Sequence, residues 1–208
     1  MYEKKLDPNL ILTAEFEYIS QTAAQANEDR ARVTSFYFVS VGSLVAAILG
    51  TQFSGGLSTL VYLAFAGLFL LLTILGGLTI AQLARLRLAW RNSALAMNKI
   101  KEYYIAQHKE LASAFAWQTA TLPKAYTANS IANLMAVEVA LLGSITFGVA
   151  AIFLLSGMGI SLVWAVLAGI LCAIGGFVAL FTYYKRLLKF HTSSPDHADA
   201  GSDDDYAS

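Results

Sequence analysis

Polar and apolar positions fall in long blocks along this chain. Between Arg32 and Arg85 lie 52 residues with no charged side chain, and between Lys124 and Lys185 lie 60 whose one charge is Glu138. A helix rises about 1.5 Å per residue, so about 20 apolar residues cross a hydrocarbon core roughly 30 Å thick. Each block is therefore long enough for two crossings and a reversal. The pattern predicts an all-α membrane protein with four transmembrane helices, near 34–53, 58–82, 134–155 and 160–184, arranged as two hairpins. The reversals, at 51–58 and 156–161, are rich in Gly and Ser, which tolerate the backbone angles of a tight turn.

The flanking segments keep a helical period. Residues 10–33 contain neither Gly nor Pro, follow a start signal at Asp7-Pro8, and repeat apolar residues at Leu12, Phe16, Ile19, Ala23, Ala26 and Val33. Residues 83–107 continue the second span with Leu83, Leu86, Trp90, Met97, Ile100 and Tyr104 at the same three- and four-residue steps. Each helix thus has one apolar stripe, and the simplest burial is against the other, as an antiparallel cytoplasmic stalk extending the first hairpin. Positions at equal depth then sum to about 117, which sets Glu28 and Asp29 beside Arg87 and Arg91, and Glu17 near Lys99 and Lys101. Exposed pairs of this kind contribute about 0–1 kcal/mol each, so they select register more than they stabilise. Residues 108–126, with Trp117, Pro123 and Tyr126, suit a connector lying along the headgroups. The expected organisation is a cytoplasmic N-terminal helix (1–33), hairpin 1 (34–82), a cytoplasmic helix and connector (83–126), hairpin 2 (127–184) and an acidic tail (185–208) too polar to fold.

Charge sets the threading. All 14 Lys and Arg lie outside the hairpins, and the 83–126 segment sums to +5 while both turns carry no basic residue. The basic excess marks the cytoplasmic face, so both termini and the central segment are expected in the cytoplasm of a cell whose inner (plasma) membrane holds the protein. Composition agrees: 57% of residues are hydrophobic, 13% are charged and the mean hydropathy is +0.57. Residues 1–33 hold too many charges for a cleaved secretory signal. The hairpins also resemble copies: Gly42-Ser43-Leu44 precedes Gly143-Ser144-Ile145 by 101 residues, and Gly76-Gly77 is echoed at Gly175-Gly176. Such a duplication would be parallel, with both copies entering and leaving on the cytoplasmic side. Small residues spaced by four, at Ser144/Gly148, Ala165/Gly169/Ala173 and Cys172/Gly176, mark a close-contact face within the chain or between copies.

Chemistry changes the picture little. An enzyme needs converging ionisable groups. The three histidines are scattered, and no HExxH, CxxC, GxSxG or phosphate-cradling glycine loop appears, so no enzyme, cofactor or metal site is expected. Cys172 has no partner cysteine in the chain. The central basic segment is explained by topology, which removes the case for nucleic-acid binding. Glu138 is the one acidic or basic residue within the spans; it is either an interfacial carboxylate near a helix N-terminus or part of an ion path. Arg85, Arg87 and Arg91 either contact the stalk partner or anionic lipid headgroups.

From Tyr18 through Tyr104 the layout resembles the SLATT-type domains, two-span membrane effector modules of bacterial nucleotide-signalling conflict systems. What matches is an N-terminal helix with Asn27-Glu-Asp-Arg-Ala-Arg32 entering a short hairpin, then a returning helix with Trp90-Arg91 and Met97-Asn98-Lys-Ile-Lys-Glu-Tyr-Tyr104. The resemblance implies an oligomeric pore former or membrane disruptor triggered through its cytoplasmic part. This chain departs from it by a second hairpin and by the lack of a fused sensor domain. The expected function is an oligomeric membrane effector, pore or channel-like component, with the lipid bilayer, copies of itself and a cytoplasmic protein as partners. A non-conducting adaptor that docks such a protein, or a small transporter, is the alternative.

Overall fold

The computed structural model describes residues 7–50, 58–115 and 117–190. Most of the expected turn at 51–58 and the tail from 191 onward lie outside these residues. Four long helices account for most of the described chain: α1 (Pro8–Gly50), α2 (Thr59–Gln107), α3 (Ile131–Gly157) and α4 (Leu162–Phe190). All four are long and apolar enough to cross a membrane. Two short 3₁₀ turns, Lys109–Ser113 and Thr119–Thr121, interrupt the connector between α2 and α3.

The helix over 10–33 and the first span form one unbroken element, as do the second span and residues 83–107. At the start of α1, Pro8 occupies the first turn, where a missing N–H costs nothing, and the Asp7 carboxylate accepts from the Asn9 N–H at 3.0 Å. α3 begins at Ser130, whose hydroxyl accepts from the Asn133 N–H at 3.2 Å. The expected turn at 156–161 is a Schellman motif. Gly159 takes φ +83°, its N–H reaches the Ser156 carbonyl at 3.0 Å, and the Ile160 N–H reaches the Leu155 carbonyl at 3.1 Å.

α2 is the central helix and packs against each of the others; α3 lies between α2 and α4, while the backbones of α1 and α4 stay apart among the described residues. The largest fully buried side chains are Tyr37, Tyr184, Ile80, Leu83, Leu188 and Val139. Glycines allow the closest approaches. A Cβ on Gly76 would stand 2.7 Å from the Tyr37 hydroxyl and 3.4 Å from the Gly143 Cα, and one on Gly148 would stand 2.6 Å from the Gly169 carbonyl oxygen. The row Ala165/Gly169/Ala173 therefore meets Gly148 inside the chain, across the α3–α4 interface. Gly42 on α1 behaves differently from Gly143, its partner in the sequence echo: it opens outward with nothing within 4 Å, while Gly143 is buried. Between α2 and α3 the Thr73 and Thr146 hydroxyls share a hydrogen bond at 3.1 Å.

Candidate functional site: a buried arginine cluster

The buried stripe of α1 runs Ile19, Ala23, Ala26, Arg30, Thr34, Tyr37, Val41, and an arginine stands in phase within it. Arg30 is 7% exposed, as is Arg87 on α2, and the two lie near enough for their charges to repel. The register explains the meeting, because 30 and 87 are positions at equal depth. Arg91, one turn further along α2, adds a third guanidinium whose charge acts on Arg87.

The expected ion pairs do not form this contact. Glu28 is exposed, and Asp29 pairs within its own helix with Arg32 at 3.6 Å. Lys101 donates to the Asn98 side-chain oxygen at 3.3 Å and sits 5.7 Å from the Phe115 ring centre, while Glu17 and Lys99 are exposed. The reason is angular: Glu28 and Asp29 stand two and one residues before Arg30, which at about 100° per residue carries both off the buried stripe. Arg85 is exposed at a similar depth on α2.

Arg87 is held by the connector. Its Nε donates to the Ala125 carbonyl at 3.2 Å, an Nη reaches toward the Lys124 carbonyl at 3.5 Å, and its guanidinium lies 4.7 Å from the centre of the Trp90 ring. Tyr184 of α4, almost fully buried, reaches the Ala132 carbonyl at 3.5 Å and is close enough to Arg30 and Arg87 for its oxygen to favour their charges. Four elements and the connector thus converge on one end of the bundle. The cluster nevertheless has donors to spare. Among the described residues Arg30 Nε, an Arg30 Nη and Arg91 Nε are buried without an acceptor, and no carboxylate forms an ion pair with any of the three arginines.

Burial first, then the neighbouring Arg87, holds the Arg30 guanidinium below its ordinary pKa; burial, then Arg91, does the same to Arg87, with Tyr184 opposing in both. For a base whose folded pKa is lowered, the folding penalty applies at every pH below that pKa. Arginine stays protonated across the physiological range, so the cost is constant there. A buried charge stripped of its partner commonly costs about 3–5 kcal/mol.

Arg30 was legible as a site only through two signals taken together: it falls in the 3–4 phase of the apolar stripe, and it sums with Arg87 to the register value. Glu138 is exposed on the outward face of α3, in line with Leu134, Leu141 and Ile145. No protein-family model, curated protein or solved structure matches this chain.

Proposed function

We propose that this chain is a multi-pass inner-membrane protein, with both termini cytoplasmic, that assembles with copies of itself into a membrane effector or channel-like component. The cytoplasmic ends of α1 and α2 are its control surface. The observation that carries this reading is the outward face of α1. There Gly42, Ala46 and Gly50, spaced by four, are exposed, and both glycines have open space where a Cβ would stand. In lipid such a row is a contact face for another helix, since close backbone approach replaces the hydrophobic drive that lipid removes. The glycine-tight interfaces within one chain leave a conduction path to the space between copies. The SLATT-type resemblance of the first half supports the same reading.

The test is ion flux from liposomes holding the purified full-length protein, with intermolecular crosslinking in parallel. Gly42→Leu with Ala46→Leu is expected to abolish the crosslinked ladder and the flux together while the chain remains folded. Absence of flux under every trigger, alongside stoichiometric capture of a soluble protein, would replace this reading with the non-conducting adaptor. One observation favours that second reading: a groove of about 300 Å³ where α1, α2 and the first 3₁₀ turn meet, lined by Leu12, Phe16, Ile100, Tyr104, Leu111 and Phe115.

A further inference from the structure

We infer that Arg30, Arg87 and Arg91 form a binding site for a phosphate group, entered between α1, α2 and the connector at the level of the inner-leaflet headgroups. The inference does not depend on conduction; its depth argument rests on the membrane reading above.

The chemistry follows from what the cluster lacks. Arg87 lies within range of both the Arg30 and the Arg91 charge with no carboxylate in ion-pair range among the described residues, and buried N–H donors on Arg30 and Arg91 have no acceptor. Desolvated cations are retained when something pairs with them. The missing partner must be anionic, rich in acceptors and able to serve forks arriving from two helices. A carboxylate offers two oxygens in one plane. A phosphate presents three or four in a tetrahedral array, and the planar guanidinium fork matches it in bidentate fashion. Arg87 is already fixed by the Lys124 and Ala125 carbonyls and by Trp90, so it is the preset part of the site; Arg30 and Arg91 bring the free donors.

Depth favours a lipid as the source. Arg30 stands four residues before the first expected span and Arg87 five after the second, which is about 6–8 Å along the helices from the hydrocarbon edge. The headgroup zone occupies about that thickness on each side of the core. A lipid phosphate therefore lies at the right height without leaving the membrane, whereas a soluble phosphate must enter from the cytoplasm past the connector. The chain's own acidic tail, with Asp203, Asp204 and Asp205, is the competing occupant.

The experiment uses the full chain in phosphatidylcholine nanodiscs in phosphate-free buffer. Phosphatidic acid is added in one arm and inorganic phosphate in the other, with retained ligand read by native mass spectrometry and stability by the unfolding midpoint. Phosphatidic acid is expected to be retained at one per chain and to raise the midpoint. Arg30→Gln and Arg91→Gln are expected to weaken that binding by about ten- to a hundredfold, the loss of one charge-assisted hydrogen bond. Arg85→Gln, at similar depth but exposed, is expected to leave it within about twofold, which separates a built site from general attraction to an anionic surface. In phosphatidylcholine alone Arg30→Gln is expected to melt at or above the wild-type midpoint, since it removes an unpaired buried charge. Should it fail to fold, Arg30→Lys keeps the charge, loses the fork, and is expected to weaken binding about tenfold. Inorganic phosphate binding with the same variant dependence, and no retained lipid, supports the site and assigns the source to the cytoplasm. Retention of neither ligand overturns the proposal, as does an Arg85→Gln loss equal to that of Arg30→Gln. Binding that emerges only after residues 191–208 are removed also overturns it, because the tail then holds the arginines.

Discussion

Single residues in the α3–α4 interface carry unequal weight. A methyl group on Gly169 would overlap Ile152 and lie 2.8 Å from the Gly148 carbonyl oxygen, and neither helix can retreat without opening the Gly148–Ala173 contact. Gly169→Ala is therefore expected to cost about 1–3 kcal/mol by denaturant unfolding in detergent. Gly175 stands six residues further along the same helix, and a methyl group placed there would meet nothing within 4 Å. Gly175→Ala is expected to be neutral or to stabilise by up to about 1 kcal/mol, because alanine restricts the unfolded backbone. A loss at Gly175 equal to that at Gly169 would mean that backbone freedom, and not close packing, governs both. Glu138 makes no hydrogen bond or ion pair among the described residues and faces outward, so Glu138→Gln is expected to leave the unfolding free energy within about 0.5 kcal/mol. A change in flux with that stability preserved would put the outward face of α3 on the conduction path.

At the scale of elements, the contacts between α1 and α2 run in opposite senses from Asn9 to Tyr37. Asn9 meets Tyr104, Phe16 lines a groove with Ile100 and Lys101, Arg30 faces Arg87, and Tyr37 meets Gly76. Ala23 and Ala94 are both buried and sum to the register value. Cysteines at 23 and 94, in a Cys172→Ser background, are expected to form an intrachain disulfide, which needs Cα atoms within about 7 Å. The pair 28 and 87 is expected to remain reduced, since Glu28 lies off the buried stripe. Reversed yields would show that the helix is rotated about its axis. Hydropathy exposed the four apolar spans, because a block of this length with at most one charge has few other solutions in a membrane, and the three- and four-residue period carried α1 and α2 beyond them. The rotation of each helix was harder to read. An apolar stripe that contains an arginine looks broken at that point, and opposite charges one or two residues away suggested a neighbouring face. Equally hidden was which small-residue rows turn inward: Gly148 and Gly169 meet each other while Gly42 and Gly50 face outward, yet the spacing is the same in both. Helical spacing defines a face and not what lies opposite it.

For the whole molecule, the one-sided placement of basic residues makes a topology that labelling can check. In sealed, correctly oriented vesicles, cysteine at Met158, in the Schellman turn, is expected to react with an impermeant maleimide from outside, and cysteine at Thr121, in the connector, from the cytoplasmic side alone. The opposite pattern would invert the orientation. Because the α1 and α4 backbones stay apart among the described residues, α1 is joined to the rest of the bundle mainly through α2, with Tyr184 of α4 approaching it at Arg30. α2 is a single helix of 49 residues, about 74 Å long and more than twice the thickness of the hydrocarbon it would cross. With the bilayer surface near Leu83, as the proposed threading has it, such a rod would be a lever: a rocking of about 5° there moves the far end, about 36 Å away at Gln107, by about 3 Å. Under the proposed threading, force applied at the Gln107 tip would be returned to the membrane-crossing half with almost equal arms, so that a small push at one end becomes a comparable shear at the other.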